Sequence, residues 1–80
     1  MHIVYVLRSK KDKKLYIGCT QNIEHRLDAH NKGGVASTKH RRPFELIYSE
    51  QFIDKYEAYR TERFYKTAKG KRVLKKKINE

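Results

Sequence analysis

The chain is poor in residues that cross-link or break structure: among its 80 residues there is one cysteine, one proline and no tryptophan. A lone cysteine, Cys19, excludes an internal disulfide and favours a reducing compartment. No apolar run approaches membrane-spanning length, and the N-terminus lacks the basic, apolar and small-residue order of a signal peptide. We therefore expect a cytoplasmic protein.

A zinc site is also unexpected, because Cys19 with His25, His30 and His40 matches no standard ligand spacing. Acidic residues are scarce: nine Asp and Glu stand against twenty Lys and Arg, a net charge of +11. Such an excess is typical of nucleic-acid binders. Solvated lysines or an anionic membrane surface are the alternatives, but the basic segment 69–77 has too thin an apolar stripe for a membrane helix.

The length predicts one domain over residues 1–80, with a modest core. Two β-rich runs, 2–9 and 14–19, flank a short charged connection and predict a β-hairpin. Both faces of this hairpin are apolar, with Tyr5 on one and Val4 on the other, so helices should cover both faces. This predicts α/β (α+β) layering.

The remaining pattern predicts four elements. A helix over 20–34 has Thr20 or Asn22 as its cap and ends at two glycines, and a second helix over 55–68 follows Asp54. A strand over 44–52 should place Phe44, Leu46 and Tyr48 on one face and Glu45, Ile47 and Ser49 on the other. A short basic helix begins near Lys71. The predicted order is ββαβαα.

Arg26 and His30 stand four residues apart at the edge of the apolar stripe of the first helix. Each alone fits a structural role, His30 as a C-terminal residue favoured by the helix dipole. Together, in a basic chain, they suggest a pair that contacts phosphate.

Glu62 lies on the inward stripe of the second helix with Ala58 and Tyr65. It could pair with Lys66 at i+4, or it could hold Mg²⁺, which needs only one or two protein carboxylates beside phosphate and water.

Tyr5 and Tyr16 fall on adjacent strands, where tyrosine most often serves packing. Gly18 is unusual inside a strand and marks a close approach of another group. Gly18 and Tyr16 lie on the same face of this strand.

Five landmarks follow one another along nearly the whole chain: IVY (3–5), YIG (16–18), T-x-N-x-x-x-R-L-x-x-H-N (20–31), STKHRRPFEL (37–46) and EAYRTE (57–62). In order and spacing they resemble the GIY-YIG nuclease family, in particular its small single-domain bacterial members. Two positions depart from the pattern. Ile3 replaces the usual first glycine, and only Asn79 is available for a downstream asparagine.

The resemblance implies a small three-stranded antiparallel sheet flanked by helices and a metal-dependent endonuclease that hydrolyses DNA phosphodiester bonds. It implies that Tyr5 helps to deprotonate the attacking water, that Tyr16 positions water or phosphate, and that Arg26 stabilises transition-state charge. His30 would transfer a proton or hold the phosphate. Glu62 would bind one Mg²⁺ (or Mn²⁺). Tyr5, Arg26 and Glu62 would converge on the face of Tyr16 and Gly18, where Gly18 leaves room for a phosphate or the catalytic groups. A basic Tyr5 would need positive charge such as Arg26 to favour its phenolate.

Further basic and small residues are candidates for nucleic-acid contact: Gly18, Lys39, His40, Arg41, Arg42, Lys71 and Arg72. DNA is the expected polymer, with RNA not excluded, in repair or recombination. Selectivity would come from substrate shape or a partner protein.

Two other functions stay open. One is a non-catalytic nucleic-acid-binding module on the same scaffold, although a carboxylate in its groove would gain it nothing. The other is a small basic protein of the translation apparatus, which leaves the five landmarks unexplained.

Overall fold

The computed structural model describes residues 1–78, so Asn79 lies outside the described residues. The elements, in chain order, are β1 (His2–Ser9), β2 (Leu15–Thr20), α1 (Ile23–Asn31), a 3₁₀ turn (Lys39–Arg41), β3 (Phe44–Phe52), α2 (Lys55–Tyr65) and α3 (Ala68–Lys77). The predicted order ββαβαα is confirmed. None of the helices in this part of the chain is long and apolar enough to cross a membrane.

The sheet has three strands in the order β2-β1-β3, and β1 pairs antiparallel with both neighbours. This confirms the three-stranded antiparallel sheet. In the β1–β2 pairing, Tyr5 stands opposite Gly18 and Leu7 opposite Tyr16. The two tyrosines are therefore diagonal neighbours, within reach of each other for side chains of this size.

Helices cover both faces of the sheet, as the two apolar faces of the hairpin predicted. Val4, Val6 and Ile17 pack with Ala58 and Tyr65 of α2 and Leu74 of α3. On the opposite face, Tyr5, Leu7 and Phe44 pack against side chains of β1, β2 and α1: Ile3, Tyr16, Ile23 and Leu27. The alternation of β1 thus divides a small protein into two thin apolar layers.

The predicted alternation of β3 is wrong because the strand contains an irregularity. The register with β1 shifts between Val6, which pairs with Tyr48, and Leu7, which pairs with Leu46. Ile47 is therefore an extra residue, and both Ile47 and Tyr48 pack on the α2 and α3 side. An inserted residue in a strand switches every later side chain of that strand to the other face of the sheet. Phe44 and Tyr48 consequently lie on opposite faces.

Capping sets the helix boundaries more narrowly than the periodicity indicated. Asn22 caps α1 by accepting from the backbone N–H of His25 at 3.1 Å, and Gly33, at φ +81°, follows its end in the left-handed region. Asp54 caps α2 as predicted. The third helix begins at Ala68, before the predicted Lys71, because the Thr67 hydroxyl accepts from the N–H of Gly70.

Candidate active site

Tyr5 lies in the centre of the sheet, directly over Gly18. Its side chain is 1% exposed. A Cβ atom added to Gly18 would stand 2.5 Å from Cζ of Tyr5 and 3.0 Å from Cε1, closer than side chains tolerate. The group that approaches the β2 backbone at Gly18 is therefore the Tyr5 ring. Gly18 lets this ring lie flat across the neighbouring strand.

The Tyr5 hydroxyl is held by two residues of α1. His30 Nε2 lies 3.1 Å from the hydroxyl oxygen, and Arg26 donates to the same oxygen through Nε at 3.4 Å. The spacing of four residues puts both side chains on one side of α1. The predicted pairing of Arg26 with His30 therefore occurs around a third group, the phenol of Tyr5.

The surrounding hydrogen bonds define the tautomer of His30. We assign the Thr38 hydroxyl proton to the Val35 carbonyl, 3.3 Å away, so that the hydroxyl accepts from His30 Nδ1 at 2.8 Å. With its proton on Nδ1, the neutral ring presents an unprotonated Nε2 to Tyr5. The Tyr5 hydroxyl consequently donates to His30 and accepts from Arg26.

Burial keeps both Tyr5 and His30 neutral at rest. Loss of solvent raises the pKa of Tyr5, even though the hydrogen bond from Arg26 acts in the opposite direction. Burial, together with the positive charge of Arg26, lowers the pKa of His30. His30 lies in the last turn of α1, as its alternative role at the C-terminal end of the helix requires, but it is 0% exposed. Arg26 alone does not make Tyr5 a phenolate.

Tyr16 completes the aromatic cluster on this face. Its ring centroid lies 4.8 Å from that of His30, edge to face, and 6.3 Å from that of Tyr5. Unlike Tyr5 it is half-buried. Its interaction with Arg26 contributes to the raised pKa of the guanidinium. Tyr16 and Arg26 are thus the partly accessible groups beside a buried hydroxyl.

Glu62 reaches the cluster from the other side of the sheet, because α2 packs against the Val4 and Val6 face. The convergence of Glu62 with Tyr5 and Arg26 on one face stays a prediction. Burial raises the pKa of Tyr5 and of Cys19, and the negative charge of Glu62 adds a smaller effect in the same direction. The Glu62 carboxylate therefore acts electrostatically on both residues.

The Glu62 carboxylate forms the i,i+4 ion pair that its spacing allowed, with Lys66 Nζ at 3.1 Å. The Glu62 side chain is 19% exposed and that of Lys66 54%. Within residues 1–78, no three side chains of His, Cys, Asp or Glu are grouped to hold a metal. A lone, partly accessible carboxylate fits Mg²⁺, which takes its other ligands from phosphate and water.

The basic candidates outside this cluster differ in availability. Lys39, His40 and Arg42 are exposed on the loop before β3. Arg41 instead pairs with Asp12 at 2.8 Å and lies over the Phe44 ring, 5.6 Å from its centroid. Lys71 and Arg72 are exposed on α3. Arg41 thus anchors its loop to the β1–β2 hairpin. The other five basic residues named here are accessible to a polyanion.

Sequence reasoning missed two residues that position the cluster. Thr38 is fully buried and fixes the orientation of His30. Asn31 joins α1 to β3, since its side chain accepts from the N–H of Phe44 at 2.6 Å and donates to the carbonyl of Phe44 at 3.1 Å. In the sequence, only their positions within the motifs quoted above mark Thr38 and Asn31. Their side-chain contacts form only in the folded chain and cannot be read from the sequence.

The lowered pKa of His30 makes stability depend on pH. The ordinary histidine pKa is 6.5, so below this pH the unfolded chain takes up a proton that native His30 resists. We expect the unfolding free energy to fall as pH drops from 6.5 to the native pKa. The measurement is the melting temperature between pH 8 and 5.5. It should fall with pH in the wild type and in the control His25→Gln, which alters an exposed ring. It should fall less steeply in His30→Gln. Equal slopes in all three would contradict it.

Filling the space over Gly18 should displace Tyr5. We expect Gly18→Val to lower the free energy of unfolding by about 1–3 kcal/mol through overpacking, yet to leave a folded protein. Any cleavage activity should fall with the loss of the Tyr5 contacts. Urea denaturation supplies the measurement, and Ile17→Val, at a cost of about 0.5–1.5 kcal/mol on the opposite face, supplies the control. Full activity in Gly18→Val would contradict the placement of Tyr5.

The chain is similar to known proteins in sequence and in fold. The sequence profile described as the GIY-YIG catalytic domain matches residues 1–79. A UPF0213 protein of Staphylococcus haemolyticus is 45% identical over 75 residues, covering 92% of this chain and 90% of that protein. Another, from Oceanobacillus iheyensis, is 48% identical over 62 residues, covering 76% and 71%. The solution NMR structure of a UPF0213 protein from Bacillus halodurans superimposes with a TM-score of 0.57 at 36% identity, covering 91% and 80%.

Proposed function

Because the chain belongs to the GIY-YIG catalytic domain family, we propose that it is a metal-dependent endonuclease that hydrolyses DNA phosphodiester bonds. The observation that carries the proposal is the Tyr5 hydroxyl, which lies 3.1 Å from Nε2 of His30 and accepts from Arg26. A buried phenol between a base and a cation, near a carboxylate, can move a proton beside a phosphate. Packing alone gives no reason for this arrangement.

The proton path runs from water through Tyr5 to His30. Tyr5 passes its hydroxyl proton to Nε2 of His30 as it accepts one from the attacking water. The water oxygen forms the new bond to phosphorus while the bond from phosphorus to the leaving oxygen breaks and the leaving oxygen departs with the electron pair. His30 becomes an imidazolium whose Nδ1–H stays bonded to Thr38. This relay explains how a tyrosine with a raised pKa can act as a base: a free phenolate never has to accumulate.

Arg26 is the group that meets the phosphate in this mechanism. Its Nε–H contact to Tyr5 is long, at 3.4 Å, and the guanidinium keeps further N–H donors for phosphate oxygens. Half-buried Arg26 and Tyr16 flank the hydroxyl, so substrate and water would enter between them. Donors fixed near the phosphate stabilise the charge that develops in the transition state.

Glu62 would hold the divalent metal, Mg²⁺ or Mn²⁺. When bound, such an ion polarises a phosphate oxygen and assists the leaving oxygen. The Glu62 carboxylate would exchange Lys66 for the ion. Because Lys66 is largely exposed, the lost ion pair costs little, within the range of about 0–1 kcal/mol for surface pairs.

The Glu62–Lys66 ion pair also supports a second candidate, a nucleic-acid-binding module without catalysis. In that case the carboxylate neutralises a lysine, and the charge of +11 supplies the affinity. Binding would fall steeply with salt and no product would appear. We favour the nuclease because the Glu62–Lys66 ion pair alone does not explain the hydrogen bonds among Tyr5, His30 and Arg26.

The substrate that fits best is DNA selected by its shape, as at branches or nicks met in repair and recombination. Exposed Lys39, His40 and Arg42 lie on one loop, and Lys71 and Arg72 on α3. Such cations contact phosphates and carry no base readout. A partner protein would supply any further selectivity.

Replacing Arg26 separates catalysis from binding. We expect Arg26→Ala to lower the cleavage rate of a bound duplex by about 10²–10³-fold, the effect of losing one transition-state donor. The duplex Kd should change far less. Single-turnover kinetics and fluorescence anisotropy measure the two quantities, with Arg63→Ala, an exposed arginine of α2, as the control. If the wild type cleaves no substrate and Arg26→Ala binds DNA more weakly, the result would favour the binding module.

A further inference from the structure

A lysine-lined pocket lies on the sheet face opposite Tyr5. It has a volume of about 440 Å³ and its rim carries Lys13, Lys14, Lys71 and Lys75. Three apolar side chains line it further: Leu15, Ile17 and Leu74. Ile17 and Leu74 belong to the core layer beneath α2 and α3. Lys71, one of the cations proposed above to contact DNA phosphate, lines this pocket, whereas Tyr5, Arg26 and Glu62 do not.

The lysines converge from two separate elements. Lys13 and Lys14 lie in the connection between β1 and β2, whereas Lys71 and Lys75, four residues apart, share one side of α3. Like charges at this spacing destabilise a helix by about 0.2–0.5 kcal/mol. The connection adds strain, because Lys13 has φ +64°, a backbone conformation uncommon for residues other than glycine.

Nothing acidic within residues 1–78 neutralises this rim. The pocket lining contains no carboxylate, and no ion pair among these residues involves any of its four lysines. The nearest acid in sequence, Asp12, is turned to Arg41, which holds the pKa of its carboxyl at about 2. The four ammonium groups therefore face the pocket without a counter-charge from the described chain.

The pocket wall is ordered before any ligand arrives. The N–H of Lys13 donates to the carbonyl of Ser9 at 2.9 Å, and the N–H of Ser9 donates to that of Lys14 at 3.0 Å. Asp12 Oδ1 accepts from the N–H of Lys14 at 2.9 Å. A connection fixed in this way holds its lysines over the apolar floor, which lowers the entropy lost on binding.

We propose that this pocket binds a nucleoside phosphate. Its volume falls in the range of small-molecule sites, roughly 300–1,000 Å³. The apolar floor suits a planar base, and the ammonium rim suits several phosphate charges. An inorganic anion would leave the floor uncovered. The ligand is either a free nucleotide or the phosphorylated terminal nucleotide of a strand, and the proposal does not depend on cleavage at the Tyr5 site.

The test follows the methyl groups of Leu15, Ile17 and Leu74 by NMR at fixed ionic strength. Three probes are titrated: adenosine triphosphate, a 5′-phosphorylated oligonucleotide and tripolyphosphate. We expect saturable shifts with one or both of the first two. A response to adenosine triphosphate identifies a free nucleotide as sufficient, and a response to the oligonucleotide alone identifies a strand end.

Matched variants separate the pocket from general charge. K14S/K75S removes one lysine of the connection and one of α3, and it should weaken binding about tenfold or more. K10S/K76S removes the same charge from the same two elements outside the pocket and should leave the affinity unchanged. Lys13→Gly, which suits the left-handed backbone, is a second pocket variant if the double one fails to fold.

Three results would overturn the proposal. They are the absence of saturable shifts with either nucleotide probe, equal losses in the pocket and control variants, and tripolyphosphate that matches adenosine triphosphate in affinity and methyl shifts. The last result would mean that the apolar floor of the pocket does not contribute to binding and that charge alone attracts the ligand.

Discussion

Replacing Tyr5 by phenylalanine should lower the single-turnover rate of DNA cleavage by about 10²–10⁴-fold, the usual contribution of a positioned acid or base. Phenylalanine keeps the ring that packs over Gly18 and removes only the hydroxyl. It thereby breaks the path from water to Nε2 of His30. Glu62, Arg26 and the basic surfaces are unchanged, so binding of DNA should persist.

The fold should survive Tyr5→Phe at a moderate cost. His30 Nε2 loses its donor in a fully buried position, which costs about 1–3 kcal/mol. Cleavage kinetics below the melting temperature therefore isolate the chemical effect. Tyr56→Phe, at a tyrosine that is 61% exposed on α2, is the matched control and should cleave normally. A Tyr5→Phe protein that cuts at the wild-type rate would remove Tyr5 from the mechanism.

The sequence was sufficient for the architecture because its signals are local. Alternating apolar residues in β1, the caps Asn22 and Asp54, and the left-handed Gly33 each act within a few residues. The sequence patterns predicted the three strands, the three helices and the coverage of both faces, but not the 3₁₀ turn Lys39–Arg41. The bulge at Ile47 escaped this reasoning, since an alternating pattern gives no sign of an extra residue. Only the pairing with β1 reveals it.

The candidate site was predictable as a set of residues and less so as a geometry. The spacing of Arg26 and His30 placed them together correctly, and the oddity of Gly18 marked a close approach. The identity of the approaching group depended on the register that sets Tyr5 opposite Gly18. The role of Thr38 depended on a contact across the loop to His30. Neither follows from local patterns.

The position of Glu62 illustrates the same limit. Its helical stripe predicted that it faces inward, and it does. Helix α2 can cover either face of the sheet, depending on the path of the chain after β3. Hydrophobic periodicity carries no information about that path. Helix α2 packs on the sheet face opposite to the Tyr5 layer, and the charge of Glu62 still acts on Tyr5 and Cys19.

Replacing Glu62 by alanine should abolish metal-dependent cleavage. A bound divalent ion supplies several kcal/mol of transition-state stabilisation, so the rate should fall by about 10³-fold or more. Alanine also frees Lys66 from its partner, which leaves one more cation beside the cluster. DNA binding should therefore be retained or strengthened. Glu57→Ala, which removes an exposed carboxylate from the first turn of the same helix, is the matched control.

The most direct measurement incubates purified protein with branched, nicked and plain duplex DNA, with and without Mg²⁺. The wild type and Glu57→Ala should cleave at least one of these substrates only with the metal, and Glu62→Ala should cleave none. Cleavage that persists equally in Glu62→Ala would show a contaminating nuclease and contradict the proposed function. Strong binding by the wild type without any product would contradict it too, in favour of a non-catalytic module.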